Sequence, residues 1–305
     1  MAKSLVTMRI EASAKVNFTL EVLGKRVDGF HALRSVVMPV SLADTLDIEA
    51  TEDGVIASDT GYPDDLCLKA ARILRCAAGE RCASCGATIR VTKRIPAGGG
   101  LGGGSADAAA VLRALNELWK VNLPLADLAA LGAQAGSDVP ALVLAQALNA
   151  PVLMEGRGEF VRPLFPSTSR LAPRLSGSVP PPFSILLVNP GVFSSTPEVF
   201  KACTPRGTDD PSILKAMEEA LASGDVRAVA AALQNDLEAP ACRLHPEIAR
   251  VKDALVEAGA LGVRMSGSGS TVFALVATEA AGRELAGKME ARGYRAWCAT
   301  STRLV

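Results

Sequence analysis

Between Gly98 and Gly104 the chain carries six glycines and one leucine, and a strongly periodic run begins directly behind them. From Ser105 to Leu118 the apolar residues Ala108, Val111, Leu112, Leu115 and Leu118 recur at helical spacing, which predicts an amphipathic helix. A glycine run alone is only a pliable stretch. A glycine run that feeds a helix is a stronger constraint, because bare backbone N–H groups and the unsatisfied first turn of the helix converge on one spot of partial positive charge. Asp107 falls in the expected first turn, and Ser105 stands where it can cap the helix or meet a phosphate oxygen. The whole reads as an anion cradle suited to a nucleotide triphosphate.

Two other glycine-rich motifs fit less well. A Walker A loop ends in Gly-Lys-Ser/Thr, and Gly103-Gly104-Ser105 lacks the lysine. Gly98-x-Gly100-x-x-Gly103 matches the dinucleotide fingerprint formally. That fingerprint opens a βαβ unit with an acidic residue about 20 positions on, at the end of the next strand. Here the residues around Leu123 begin another helix instead, which disfavours a Rossmann dehydrogenase. A second small-residue loop, Ser266-Gly267-Ser268-Gly269-Ser270-Thr271, has more glycine and hydroxyl than a tight turn needs and suits a further phosphate or substrate contact.

Composition limits what such a cradle serves. The 305 residues are 49% hydrophobic and 21% charged, which is a globular chain with a core and room for about two domains. Thirty-two basic residues balance thirty-two acidic ones with no block of either sign, which weighs against a nucleic-acid partner. The apolar stretch Val139 to Met154 is interrupted by Pro140, Gln146, Asn149 and Pro151 and falls short of the ~20 residues of a membrane span. Charges at Lys3, Arg9, Glu11 and Lys15 break up the N-terminal segment, so no secretory signal is expected. The odd count of seven cysteines points to reduced thiols in the cytoplasm. With only His31 and His245, a multi-histidine metal site is excluded. Cys82-x-x-Cys85, near Cys76, has no second pair to complete a zinc site and reads as ordinary thiols.

The first third reads as strands at Arg9–Leu23, Ser35–Val40, Thr45–Ala50 and Ala87–Val91, with a turn at Val27-Asp28-Gly29 and a helix at Leu66–Ala78. A helix is expected at Leu125–Ala135. Beyond a stretch from Pro163 to Pro182 with six prolines, the pattern predicts strands at Phe183–Val188, Thr271–Val276 and Tyr294–Ala299. Helices are expected there at Pro211–Ala222, Val226–Leu233, Pro246–Ala258 and Glu279–Arg292. The proline-rich stretch is read as the join between a domain at 1–165 and a second, α+β domain at 180–305.

Pro96-Ala97-Gly98-Gly99-Gly100-Leu101-Gly102-Gly103-Gly104-Ser105-Ala106 resembles the ATP loop of the GHMP kinase superfamily. Other segments narrow the likeness. They are Ala14-Lys15-Val16-Asn17 with Asp28-Gly29-Phe30-His31, Gly136-Ser137-Asp138-Val139-Pro140, and Asn189-Pro190-Gly191-Val192 with Thr196, Pro197 and Phe200. Asn235-Asp236-Leu237-Glu238 and the loop from Met265 to Thr271 belong to the same set. Together they resemble the branch that phosphorylates a cytidine-diphosphate-linked methylerythritol in the non-mevalonate route to isoprenoid precursors. The resemblance implies an α+β, two-domain fold, ribosomal-protein-S5-domain-2-like at the N-terminus and ferredoxin-like at the C-terminus, with the active site in the cleft between. It implies ATP and Mg²⁺, a 2-hydroxyl as phosphoryl acceptor, and a monomer or homodimer.

Residue by residue, the resemblance matches Lys15 and Asp138 to the catalytic pair and Phe30 and Phe200 to aromatic positions that sandwich the cytosine. His31 matches the position that hydrogen-bonds the base, and Asn17 and Thr196 match substrate contacts. The chain departs from the pattern after Pro140, where the family has a short glycine-containing stretch. Here Ala141 to Glu155 is longer and lacks glycine before it meets Gly156-Arg157-Gly158-Glu159.

Phosphoryl transfer needs positioning and charge stabilisation. Asp138 can accept the proton of the attacking hydroxyl, and Lys15 supplies positive charge to the transferring group. Asp107 or Ser105 is a candidate to reach Mg²⁺. The competing readings are a homoserine- or mevalonate-type kinase, against which the ring pair speaks, and a non-catalytic nucleotide-binding regulator, against which Lys15 and Asp138 speak.

Overall fold

A computed structural model describes residues 6–165 and 182–302. Most of the proline-rich join expected at 163–182 therefore lies outside the described residues. The chain begins with a long antiparallel hairpin, β1 (Val6–Lys25) and β2 (His31–Thr51). The two strands expected at Ser35–Val40 and Thr45–Ala50 are one continuous strand. Ser41 to Asp44 stay extended, and the mismatch is taken up as a register shift in which Val40, Ser41 and Leu42 stand opposite Ala14 alone, without a break in β2.

Then come β3 (Ile56–Ser58), α1 (Leu66–Ala78), β4 (Gly86–Thr92), α2 (Gly103–Leu118), α3 (Leu125–Gly132), α4 (Val139–Leu148), β5 (Val152–Gly156) and β6 (Phe160–Pro163). The first sheet runs β3-β4-β2-β1, with β5 paired to the first half of β2 and β6 to β5. Helix α1 has the predicted bounds because Asp65 Oδ1 accepts from the N–H of Cys67 and Leu68 and Gly79 ends it at φ +63°. Helix α2 buries Ala108, Val111, Leu112 and Leu115 completely against this sheet. Each Val or Leu so removed from water contributes about 1.5–3 kcal/mol.

The second half is β7 (Ser184–Asn189), α5 (Thr196–Lys201), α6 (Ser212–Ser223), α7 (Val226–Ala232), β8 (Gln234–Asn235), α8 (Glu238–Leu244), α9 (Pro246–Glu257), β9 (Gly262–Met265), β10 (Val272–Val276), α10 (Glu279–Glu290) and β11 (Arg295–Thr300). Its sheet has the order β11-β7-β10-β9, antiparallel throughout. Numbered within the sheet this is 4-1-3-2, the ferredoxin-like order, with α5 to α9 inserted in the first crossover. β8 crosses over to pair in parallel with β1, at Thr19 and Leu20. The rings of Phe18 and Phe273 stack at 5.8 Å between the two halves, within one apolar cluster that continues from the first sheet into the second.

Candidate active site

The β1–β2 register shifts twice here: between Ser13 and Lys15, where β2 carries the extra residues Val40–Leu42, and between Asn17 and Thr19, where β1 carries one. Bulges re-aim side chains, and here they bracket the two residues that matter. Lys15 Nζ donates to Asn17 Oδ1 at 2.7 Å, and Asn17 Nδ2 donates to Ser35 Oγ at 2.8 Å. Lys15 is buried, and its ammonium also lies 3.3 Å from Asp138 Oδ2. Asp138 occupies the N-cap position of α4, yet its carboxylate makes no capping hydrogen bond. A cap aspartate would turn back onto its own helix; this one faces the lysine.

The glycine loop is welded to the same strand, since Lys15 N–H donates to Leu101 O at 3.1 Å. Gly98, Gly100 and Gly102 all have φ between +65° and +75°. The Ser266–Thr271 loop seats on it: Thr271 N–H donates to Gly99 O at 3.1 Å and Ser266 Oγ to Gly100 O at 2.9 Å. A Cβ on Gly100 would come within 2.2 Å of Ser266 O, so the two loops touch only because that side chain is absent. The helix behind begins at Gly103, with Gly102 as N-cap, two residues before the expected start. Ser105 is therefore inside the first turn and caps nothing, and Asp107, the fifth helical residue, falls just beyond the first turn in which it was expected.

Asp107 is buried, and its Oδ2 accepts from Lys93 Nζ at 2.6 Å. The same ammonium holds Asp44 Oδ2 at 2.5 Å. Two carboxylates thus share one lysine, and Asp107 Oδ1 has no hydrogen-bond partner. Burial pushes the Asp107 carboxyl up to about 7; Lys93 pulls against that and the nearby Asp44 charge adds to it.

At the other end, the ring of His31 stacks on Phe200 with centroids 5.2 Å apart and planes 23° from parallel. His31 opens β2 and Phe200 lies on α5, so the contact joins the two halves of the chain. Burial and the charge of Lys25 hold the His31 imidazole below its usual pKa. Phe30 is half exposed, and the Arg157 guanidinium lies 5.1 Å from its ring centroid. The structure thus stacks His31, not Phe30, against Phe200. Thr196 Oγ1 lies 2.7 Å from Ser268 Oγ, fixing the start of α5 to the second loop.

One cleft of about 1120 Å³ runs along this site from the loops to the His31–Phe200 pair. Lys15, Asn17, Asp138, Pro96, Ala97, Ser105, Phe30, His31, Thr196, Phe200 and the loop glycines line it. Leu101 and Ala106 do not; both are fully buried in the core beneath the loop. The arrangement can hold an anion on the loop, a planar ring at the His31–Phe200 end, and a hydroxyl between them at Asp138.

The GHMP kinases N terminal domain model matches residues 65–146 and the GHMP kinases C terminal model matches residues 217–295. The 4-diphosphocytidyl-2-C-methyl-D-erythritol kinase of Symbiobacterium thermophilum is 41% identical over 95% of this chain and 98% of its own. That of Pelotomaculum thermopropionicum is 40% identical over 91% of this chain and 92% of its own. The chain belongs to the 4-diphosphocytidyl-2-C-methyl-D-erythritol kinase family. A solved structure titled 4-(cytidine 5'-diphospho)-2C-methyl-D-erythritol kinase superposes over 97% of this chain and 99% of that one, with TM-score 0.77 at 36% identity.

Within this member of the kinase family, the cleft also contains Lys25, Lys93, Arg157, Phe193 and Lys201, none of which the motifs marked. Lys93 sits just after β4, three residues before Pro96, and nothing in the sequence distinguishes it from a solvated strand-end lysine. Arg157 lies in the Gly156–Glu159 segment that the longer Ala141–Glu155 stretch delivers to the cleft. That stretch continues α4 to Leu148, turns at Asn149 with φ +50° and returns as β5. Gly158 then packs so close to Ser137 that a Cβ would meet Ser137 O at 2.2 Å, which ties the segment to the residue beside Asp138.

Proposed function

We propose that the protein transfers the γ-phosphoryl group of ATP to the 2-hydroxyl of 4-diphosphocytidyl-2-C-methyl-D-erythritol, giving the 2-phosphate and ADP. The observation that carries this reading is the Lys15–Asp138 pair at 3.3 Å, set between the glycine loop and the His31–Phe200 stack in one cleft. The cleft-lining residues Ala97–Gly100 and Gly102–Ser105 cradle the triphosphate through backbone N–H groups and the α2 N-terminus. Asp138 takes the proton of the 2-hydroxyl as its oxygen bonds to phosphorus and the bond from phosphorus to the ADP oxygen breaks. Lys15 stabilises the charge on the transferring group, and its bond to Asn17 fixes where that charge sits. Phe30, His31 and Phe200 receive the cytosine, and Asn17 and Thr196 contact the substrate.

Among the described residues no cluster of three or more His, Cys, Asp or Glu side chains could hold a metal ion. That suits Mg²⁺, a hard cation that takes one or two protein oxygens and relies on phosphates for the rest. The Ser105 hydroxyl and the Asp138 carboxylate are the oxygens that fit, whereas Asp107 is held by Lys93. Mg²⁺ there would neutralise charge on the phosphates.

The two sheets support a division into units 1–165 and 180–305, with β8 as the element that crosses over. Among the described residues no helix is long and apolar enough to cross a membrane, and all seven cysteines are free thiols, which supports a cytoplasmic placement. Incubation of the purified protein with ATP, Mg²⁺ and this substrate, followed by ³¹P NMR, tests the reading. One new phosphomonoester on the 2-position is expected. A product phosphorylated elsewhere, or none, refutes it.

A further inference from the structure

The substrate-facing ring of Phe200 rides on α5, a helix of six residues that cannot hold its own position. Its N-terminal end is tied to Ser268 through Thr196. Its C-terminal end runs into residues 202–211, which have no secondary structure of their own before α6. That segment nevertheless lies fixed along the hairpin. Arg206 N–H donates to Val22 O at 2.9 Å and Gly207 N–H to Leu23 O at 3.1 Å. Arg206 also forks onto Asp236, whose Oδ2 accepts from Val22 N–H at 2.9 Å.

The far end of the segment is held by Arg34. Its Nη1 donates to Asp209 Oδ1 at 2.6 Å, and its Nη2 donates to the carbonyl of Asp210. Arg34 is buried and faces Glu21 directly across the hairpin. Arg34 Nε and Nη2 donate to the two Glu21 oxygens at 3.0 and 3.1 Å. Burying this pair is costly unless the geometry is fixed and the remaining donors are satisfied. Both conditions hold, and the spare donors are spent on the segment that follows α5. Arg34 also lies three residues after His31 on the same strand. One strand therefore presents the ring that stacks on Phe200 and bolts down the chain that carries Phe200.

We infer that Arg34, held by Glu21, is a positioning residue that sets the distance between His31 and α5 through Asp209 and Asp210, and so sets affinity for the base end of the substrate. This rests on the function proposed above for what binds there. Arg34 touches no reacting atom. Its effect is confined to one end of the cleft, because the glycine loop and Asp138 are held by other contacts.

Two substitutions test it without emptying the core. Arg34→Lys keeps a positive charge for Glu21 but loses the planar fork that reaches the segment. Asp209→Ala removes a side chain that is 81% exposed, so folding is not at stake. Each should raise KM for the cytidine-diphosphate-linked substrate about tenfold while kcat and KM for ATP stay within about twofold, the split expected when positioning fails at one end of a site. Amide hydrogen exchange across residues 196–201 should quicken in both, the double variant should be no worse than either single one, and Asp209→Glu should restore the parent values. Unchanged exchange at 196–201 overturns the inference. So does faster exchange with KM unaltered, or a parallel rise in both KM values. If the parent protein does not turn over this substrate, the proposed function fails, and the exchange measurement alone still decides whether Arg34 holds α5.

Discussion

The ammonium of Lys15 and the carboxylate of Asp138 stand 3.3 Å apart, the first almost fully buried and the second about one-third exposed. Neither position is set locally. A register shift of the hairpin flanks the lysine, a helix start presents the aspartate without using it as a cap, and the glycine loop hydrogen-bonds the lysine's own backbone. A buried ammonium with an accessible carboxylate beside it is the arrangement a hydroxyl needs if its proton is to leave while a phosphoryl group arrives.

Asp138→Ala should lower kcat by about 10² to 10⁴, the range of a lost general base. ATP affinity should stay near normal, because the loop and α2 are untouched. Steady-state turnover together with calorimetric titration of ATP checks this. Near-normal turnover would remove Asp138 from its role.

Gly100→Ala and Gly104→Ala separate the loop's shape from its composition. At Gly100 the backbone has φ +75° and a Cβ would collide with Ser266 O at 2.2 Å, so the two loops should part and ATP affinity should fall at least about tenfold. At Gly104 the nearest atom is Leu66 Cδ1 at 3.6 Å, and the alanine should bind ATP within about twofold of the parent. Equal effects in the two variants would contradict the docking of the loops.

Phe200→Ala removes the ring stacked on His31 and should raise the substrate KM at least about tenfold with little change for ATP. A matching change in both KM values would count against base binding at this end.

Asp107 gives a pH signature. Its folded pKa is raised to about 7, so between roughly pH 4 and 7 the folded chain holds a proton that the unfolded chain has released. The contribution of this group to stability is therefore complete below pH 4 and is lost as pH rises through 7. Asp107→Asn should remove that slope, and its stability relative to the parent should improve from pH 4 to 7 and then level off. Denaturant midpoints across that range measure it; a gap that does not change with pH would show that Asp107 does not titrate there.

Much of this was legible in the residues, and the exceptions share physical causes. Helix α1 was legible from its apolar spacing alone, and the structure ends it where Asp65 caps one end and Gly79 stops the other. Helix α4 gave no signal, since Val139 through Ala145 are buried on every side and a helix with no polar face has no period. The start of α2 was hidden by glycine, which reads as loop although Gly103 and Gly104 are helical. The two expected strands of β2 merged because Val40–Leu42 bulge opposite Ala14 of β1 without ending the strand. In the cleft, motif residues were visible and partners were not. Lys93, Arg157 and the Glu21–Arg34 pair owe their places to sheet register and chain return, which a linear sequence does not display.

The central claim is tested most directly by initial rates of ADP release from the purified protein with ATP and Mg²⁺, comparing kcat/KM for 4-diphosphocytidyl-2-C-methyl-D-erythritol, homoserine and mevalonate. A stacking site that goes unfilled should cost the smaller substrates at least about 10³ in kcat/KM, so ADP release with the cytidine-linked alcohol alone is the predicted result. Turnover with homoserine or mevalonate and none with the cytidine-linked substrate would contradict the account.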